Sequence, residues 1–428
     1  MEQSKKKMLI YAHYYAPDVA STGQILQDMA EGMGREFDVT VICTVPSYTG
    51  TVAEGYREKR VYREEINGVR VLRVPVPPFS KASKKSRIVN LIAYFLRARR
   101  ATRLAGPQDY VFTISQPPIM GGMLGVYGKG KLRAPAGGRP KLIYCIQDFN
   151  PEQTMAVGYI GNPAILGAMA RLDNRSCRRS DLVVTVGRDL VETLKRRFAG
   201  KNVPKHVMIN NWIDEKAIYP LPPEHPEVQA FRRQYGLEGR FVVMYSGNIG
   251  LYYDLEGLIR VIEQFRGATT PDGREVAFAF VGAGSVLDKL VAYKAAHGLD
   301  NVAFIPYQDK DRLIYSLNAA DVHWCVNARG IKGVSCPSKF YGICGVQKPV
   351  LAVLERDSEV QMLIDEIGCG RCSEPGDYAG IQRDIAWFID NAGSQTLADM
   401  GRRGHAYLLA NLTKDVSIQK YIDAIKGL

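Results

Sequence analysis

Short β-branched apolar runs recur along this chain, separated by segments of helical spacing, and they fall into two series. The first comprises KMLIYA (Lys7 to Ala12), DVTVIC (Asp38 to Cys43), VRVLRV (Val69 to Val74), YVFTI (Tyr110 to Ile114), KLIYC (Lys141 to Cys145) and DLVVTV (Asp181 to Val186). The second comprises FVVMYS (Phe241 to Ser246), VAFAFV (Val276 to Val281), NVAFIP (Asn301 to Pro306), DVHWCV (Asp321 to Val326) and KPVLAV (Lys348 to Val353). Runs that are apolar at successive positions, joined by helix-length connections, are the pattern of parallel strands buried between helical layers. Between the series lies YPLPPEHPEV, Tyr219 to Val228, with four prolines in ten residues. Proline removes a backbone donor and fixes φ, so this stretch can be neither helix interior nor central strand. The predicted fold class is α/β, with two doubly wound Rossmann-like domains over 1–218 and 229–405 and a proline-rich linker over 219–228. Ligand-binding loops of such domains lie at the carboxyl ends of the strands, here expected to face each other across a cleft.

The bulk properties agree with that organisation. A chain of 428 residues exceeds one ordinary core, and 46% hydrophobic with 23% charged residues is the balance of a soluble globular protein. No apolar run approaches the roughly 20 residues that span a bilayer. The start, MEQSKKKMLIYAHYY, is basic, but its apolar part is strand-length and breaks at His13, so a signal peptide is not expected. The eight cysteines are scattered, mostly inside apolar runs, and read as reduced and buried. Cys369-Gly-Arg-Cys372 lacks a second ligand pair and reads as structural. A net charge of +12 calls for a polyanionic partner: nucleic acid, an anionic membrane or phosphorylated substrates.

The loops narrow the chemistry. HYYAPDVASTG follows the first strand without the GxGxxG of a dinucleotide site, and VGAGS (Val281 to Ser285) is only a fragment of that pattern. A P-loop is absent, and the six histidines form no metal-ligand spacing. What remains is backbone amides, lysines and a few carboxylates. In VSCPSKFYGICGVQKPV (Val334 to Val350), Pro337, Ser338 and Lys339 read as a helix start behind the loop GIKG, Gly330 to Gly333. The free N–H groups of a first turn attract an anion. Two lysines, Lys332 and Lys339, stand there and no carboxylate occurs from Gly330 to Lys348, so the negative charge is expected from a ligand.

With these loops the chain resembles the retaining nucleotide-sugar glycosyltransferases of family 4, which have the GT-B fold, and within them the branch that builds bacterial exopolysaccharide, capsule and O-antigen units. The resemblance is carried by YAPDVASTG, IQDFNPEQTMAVG (Ile146 to Gly158), INNWID (Ile209 to Asp214), YSGNIG (Tyr245 to Gly250), PSKFYGI and GCGRCSEPGD (Gly368 to Asp377). It implies an acceptor-binding first domain, a donor-binding second domain, and a C-terminal helix over 406–428 that returns to the first. The donor is expected to be a nucleotide-diphosphate sugar, UDP-linked, and the acceptor a polyprenyl-diphosphate-linked sugar; no cofactor is expected, and no metal, because two clustered lysines can take its place.

Residue by residue, the resemblance places Ser21, Thr22 and Gly23 near the donor phosphates. Gln147-Asp148 stands where relatives often have His-Asp, leaving Asp148 as the polar group near the reacting sugar. Gly247 and Asn248 stand where many have Gly-Arg, and Tyr252 or Tyr253 where they have Lys. Gly282 belongs to the same donor-binding set, and Tyr307, beside Pro306, is placed against the base. The family's Glu-x7-Glu acids would fall at Val334 and Gly342 and are missing. The charge on the diphosphate is then expected to be met by Lys332 and Lys339, with Ser335 and Ser338 beside them, acting on the oxygen where charge grows as the glycosidic bond breaks. Simpler roles stand beside these: a solvated Lys332, a capping Asp148, a structural Glu152, a packed Tyr307, hydrogen-bonded His13 and His323, and a tight turn at Gly368 and Gly370.

From Lys81 to Arg103 the chain holds eight Lys or Arg and no acid around IVNLIAYFL. Ile88, Leu91, Ile92, Phe95 and Leu96 fall near one helical face. Either this is a core-packed helix with basic ends, or it lies on an anionic leaflet through Lys84, Lys85, Arg87, Arg99 and Arg100. Nucleic-acid binding finds no recognised module. The expectation is a cytoplasmic enzyme peripheral to the inner face of the plasma membrane. The alternatives are a non-catalytic, membrane-associated nucleotide-sugar binding protein and a nucleotide-sugar epimerase of the same fold.

Overall fold

The computed structural model describes residues 5–18, 20–80, 83–156, 158 and 161–428. The first residues of the basic N-terminus, Val19 of YAPDVASTG, Lys81 at the head of the basic segment, Val157 of IQDFNPEQTMAVG and the side chain of Ser21 lie outside the described residues. Backbone proximity divides the chain into two units. The first is Met1–Val186 with Val191–Ile209 and Ile418–Leu428, and the second is Gly187–Leu190 with Asn210–Ser417.

The first unit is built on eight strands: β1 (Lys6–Tyr11), β2 (Phe37–Thr44), β3 (Tyr62–Ile66), β4 (Val69–Val74), β5 (Tyr110–Ile114), β6 (Lys141–Ile146), β7 (Leu182–Thr185) and β8 (His206–Met208). Their order is β3-β4-β2-β1-β5-β6-β7-β8. All neighbours are parallel except β3 and β4, which form a hairpin with Ile66 opposite Val69. Its two-residue turn is Asn67-Gly68, both at positive φ, the backbone that matches the twist of a tight hairpin. Helix Lys84–Ala101 packs Tyr94, Ala98 and Ala101 onto a core made with Leu9, Tyr11, Leu72, Val111 and Leu142. The last helix, Lys414–Lys426, contributes Tyr421 to this unit: the residue is fully buried, its hydroxyl 3.4 Å from Cys145 Sγ and its ring edge-on to Phe112.

The second unit has six strands, all parallel: β9 (Phe241–Ser246), β10 (Val276–Val281), β11 (Val302–Ile305), β12 (Val322–Val326), β13 (Val350–Val353) and β14 (Gly370–Ser373). The order β11-β10-β9-β12-β13-β14 changes direction between β9 and β12. At such a switch point the loops after the two central strands run to opposite sides and leave a crevice at the carboxyl end of the sheet. The proline-rich stretch lies within this unit, and it is pinned. Ile218 packs with Ile314, Leu317 and Val346, while Asn318 donates to Tyr219 O (3.0 Å) and accepts from Leu221 N (2.8 Å).

Gly368 and Gly370 do not share one turn. Gly368 ends helix Glu359–Ile367 at φ +65, whereas Gly370 opens β14, where a Cβ would collide with the Val350 carbonyl oxygen. All eight cysteines are free, seven of them buried. Among the described residues no helix is long and apolar enough to cross a membrane.

Candidate functional site

Three adjacent strand ends of the second unit form one tight layer. The backbone leaves β9 through Gly247 at φ +140 and β10 through Gly282 at φ +139, a region that side-chain-bearing residues rarely enter. A Cβ on Gly282 would collide with the Gly247 carbonyl oxygen, and one on Gly284 with that of Ile249. Gly247 N donates to Val281 O, Ile249 N to Ala283 O and Gly282 N to Ile305 O, each at 2.9 Å. The Tyr245 hydroxyl donates to Asn248 O at 2.6 Å and closes the loop, leaving Asn248 exposed. Tyr307, just beyond β11 at the same sheet edge, is 58% exposed. Gly284 belongs to VGAGS, whose second glycine sequence reasoning passed over as part of an unmatched dinucleotide pattern.

Lys339 enters this layer from beyond β12. It opens helix Lys339–Gly345, with Ser338 as the N-cap residue and Pro337 one position earlier, just outside the helix. The Ser338 side chain makes no capping hydrogen bond and is exposed, and Ser335 is half-buried. The Lys339 stem crosses Gly247: a Cβ there would stand 2.6 Å from Lys339 Cε. Its ammonium sits 3.9 Å from the centre of the Tyr253 ring and 4.9 Å from that of Tyr245. No carboxylate pairs with it among the described residues.

The GIKG loop is arranged differently from the expectation. Its negative charge comes from the chain itself. Glu355 Oε2 accepts from Gly330 N (2.9 Å) and Lys332 N (2.8 Å), Asp357 lies 3.3 Å from Lys332 Nζ, and Asp189 accepts from Gly333 N at 2.8 Å. Burial pushes the Asp189 carboxyl above its ordinary range, partly offset by the Gly333 and Leu190 N–H groups that donate to it. Amides that look free in a local window are paired by tertiary structure, as polar backbone groups in folded proteins nearly always are. Lys332 is thus a clamped loop residue, and Lys339 is the lysine whose charge is left uncompensated.

In the first unit, Ser21, Thr22 and Gly23 form the first turn of helix Ser21–Met33. The loop before them is held by the buried Arg73, which donates to Ala16 O, and by Asp18, which accepts from Ser47 N (3.2 Å) and Tyr48 N (3.1 Å). Asp148 follows β6, and the N–H groups of Gln147 and Asp148 donate to Ser115 Oγ at 3.1 and 3.2 Å. Arg197 braces the segment after it. Its guanidinium stacks 4.4 Å from the Phe149 ring centre, donates to Glu152 (2.8 Å) and Asn150 O (2.6 Å), and pairs with the buried Asp173. Tyr144 completes that network at 2.6 Å from Asp173. Glu152 is therefore structural. His13 and His323 are buried, and burial pulls both down to about 4, so they stay neutral; His323 is bonded to Leu317 O.

The basic helix turns its apolar residues outward. Asn90, Tyr94, Ala98 and Ala101 face the core, with Asn90 donating to Pro77 O, while Ile88 (54%), Val89, Ile92 and Leu96 (45%) are exposed. Leu91 and Phe95 are half-buried. The helix does pack on the core, as the simpler reading had it, but through Asn90, Tyr94, Ala98 and Ala101 rather than through Ile88, Ile92 and Leu96. Lys85, Arg87 and Arg100 are exposed, Lys84 stands in the exposed first turn, and Arg99 lies over the Tyr127 ring at 4.5 Å. Every exposed large apolar side chain of the described first-unit residues falls between Ile88 and Leu172. Among the described residues no group of three or more His, Cys, Asp and Glu is placed to hold a metal.

Residues 22–212 match the model of a Glycosyl transferase 4-like domain, and residues 227–406 that of Glycosyl transferases group 1. The chain is similar to a probable glycosyltransferase, WbjE, of Pseudomonas aeruginosa, at 26% identity over 67% of this chain and 68% of that protein. It is also similar to a putative colanic acid biosynthesis glycosyl transferase, WcaI, of Escherichia coli K12, at 24% identity over 98% of this chain and 100% of that protein. Among solved structures it resembles a sucrose-phosphate synthase from Thermosynechococcus elongatus (TM-score 0.75, 13% identity, 99% of each chain). It likewise resembles Anabaena HepE in complex with UDP-glucose (TM-score 0.67, 16% identity, 99% of this chain and 100% of that one). At these identities the structural likeness is one of fold.

Proposed function

The chain is a GT-B-fold relative of the Glycosyl transferase 4-like and Glycosyl transferases group 1 families, and from that premise we propose that it is a retaining glycosyltransferase using a UDP-linked sugar. The observation that carries this reading is Lys339, an ammonium without a carboxylate partner, lying across a glycine loop at the switch point of the second sheet. In the proposed reaction the bond between the sugar C1 and the β-phosphate oxygen breaks, and the acceptor hydroxyl oxygen bonds to C1 on the same face. The acceptor proton leaves with the departing phosphate or to solvent. Lys339 meets the negative charge growing on that phosphate, which lowers the barrier because the charge is larger in the transition state than in the bound donor. Gly247, Asn248 and Gly282 line the donor site, with Tyr307 against the base. Ser335 and Ser338 flank Lys339, while Ser21, Thr22, Gly23 and Asp148 serve the sugar and phosphates from the first unit.

A panel of UDP-, GDP-, ADP- and dTDP-sugars, scored for nucleotide release, tests this. UDP release from one donor, unchanged by EDTA and with the anomeric configuration kept in the product, is the expected result. Nucleotide binding without release would favour a non-catalytic binding protein, and sugar interconversion without acceptor would favour an epimerase.

For the acceptor, the proposal is a polyprenyl-diphosphate-linked sugar in bacterial cell-surface polysaccharide assembly, met on the cytoplasmic face of the plasma membrane. The outward apolar stripe of helix Lys84–Ala101 and its basic residues, with no acid along the helix, support it. Each Lys or Arg near an anionic leaflet contributes roughly 1 kcal/mol, and apolar insertion adds to it. Changing Lys84, Lys85, Arg87, Arg99 and Arg100 to Gln is expected to abolish salt-sensitive binding to vesicles containing phosphatidylglycerol while sparing nucleotide binding. Wild-type protein that ignores such vesicles, or a quintuple variant that still binds them, would remove the membrane assignment.

A further inference from the structure

Two lysines approach the carboxyl edge of the second sheet, and the structure holds them in opposite ways. The Lys332 ammonium has a carboxylate, Asp357, at 3.3 Å, which offsets part of its charge. The Lys339 ammonium is fixed by rings: Tyr253 at 3.9 Å and Tyr245 at 4.9 Å from Nζ to ring centre, the two rings 5.9 Å apart. A lysine side chain left loose in water loses about 2 kcal/mol of rotamer entropy when a ligand orders it. Aromatic faces within about 6 Å attract an ammonium through the ring quadrupole and carry no net charge. Such a seat orders the lysine in advance and leaves its full positive charge for an anion on the open side.

Three features converge on this seat. Tyr253 belongs to the short helical turn Leu251–Tyr253 that follows the glycine loop, so the ring is delivered by the segment that bounds the crevice. Tyr245 is buried, and its hydroxyl is already committed to Asn248 O at 2.6 Å, which sets its ring orientation. Gly247 has no side chain where the lysine stem must pass, with Lys339 Cε only 2.6 Å from where a Cβ would be. A small residue is needed there for the lysine as much as for any ligand.

We propose that Tyr253 is a positioning residue. With Tyr245 and Gly247 it seats the Lys339 ammonium so that an uncompensated charge is presented to the diphosphate of a bound nucleotide. This rests on the reading of Lys339 given above and deepens it. The seat acts through Lys339 alone, so its loss is felt by the diphosphate and not by the nucleoside.

The test uses the full chain and calorimetric binding of UDP and of uridine. Tyr253→Leu is expected to weaken UDP about tenfold, within the range of a cation–aromatic contact, and to leave uridine unchanged. Tyr253→Phe, which keeps the ring, is expected to lose no more than about twofold on the same scale. In a Lys339→Gln background the Tyr253→Leu effect should vanish, since the coupling of the pair is what a double-mutant cycle isolates. In turnover, Tyr253→Leu should lower kcat more than it raises KM. If Tyr253→Leu melts below the assay temperature, Tyr253→Met replaces it with the same readout. Equal losses for UDP and uridine, or a Tyr253→Leu penalty that persists without the lysine, would overturn the seat. Unchanged UDP binding in Lys339→Gln would instead overturn the donor-site reading itself, so the two failures are distinguishable.

Discussion

Lys339→Ala is expected to lower turnover of the nucleotide sugar about a hundredfold, the usual scale for removing one oriented donor at a developing anion. Lys332→Ala should cost no more than about fivefold, because its ammonium is half of an exposed ion pair with Asp357, and such pairs contribute little. Lys332 lies in the glycine loop and Lys339 opens the helix that follows it, which makes the contrast informative. Both variants should fold, since neither ammonium is buried in the core. Steady-state and single-turnover nucleotide release would measure the difference. Equal losses in the two variants would mean that the Lys332 ion pair opens during catalysis. Wild-type turnover in Lys339→Ala would remove the lysine from the mechanism.

Arg197→Ala is expected to destabilise the first unit by about 3–5 kcal/mol, the range found when one partner of a buried ion pair is removed. Arg197 satisfies the buried Asp173 and also binds Glu152 and the Asn150 carbonyl. Without it, a carboxylate would be left in a core lined by Phe149 and Tyr144. The effect carries a pH signature. Burial raises the Asp173 carboxyl above its ordinary value, with Arg197 pulling it down. A carboxyl whose folded value is raised binds its proton more tightly in the native state, so stability falls as pH rises from about 3.9 through the raised value. Removing Arg197 takes away the lowering influence and extends that window upward. The variant's deficit should therefore be smaller at pH 5 than at pH 8 in urea unfolding. A deficit under about 1 kcal/mol, or one independent of pH, would contradict the network. The segment affected carries Asp148, so the same variant should also lose activity at temperatures where it remains folded.

Much of the architecture was legible from residue order. The inner strands β1, β5, β9, β10 and β12 are buried on both faces and so read as unbroken apolar runs, a signal that needs no knowledge of neighbours. The apolar-run pattern misses the edge strands β3, β8 and β14. YREEI alternates charge with apolar residues on the rim of the sheet, and GRCS is short and glycine-bearing. Asn67-Gly68 was the available signal for the first of these, since that pair before a strand favours a hairpin turn. The glycines of YSGNIG and VGAGS were visible as letters, but their need for positive φ and their mutual contact emerge only when β9 and β10 lie side by side.

The basic helix divides the same way. Its charge and its lack of acids are properties of the sequence alone. Which face turns out depends on where the chain before it runs, because Asn90 is drawn inward by the Pro77 carbonyl and leaves Ile88, Ile92 and Leu96 outside. The lysine-bearing loop Gly330–Gly333 shows the limit most clearly. A local window from Gly330 to Gln347 contains two lysines and no acid, and by itself it makes them equivalent. The fold brings Glu355, Asp357 and Asp189 to one lysine's loop and two tyrosine rings to the other lysine. The alternating α/β order, the glycine-bearing loops and the excess of positive charge follow from periodicity and residue chemistry along the chain and need no partner to be seen. Which lysine keeps its charge depends on groups distant in sequence, because electrostatic compensation acts over a few ångströms in space.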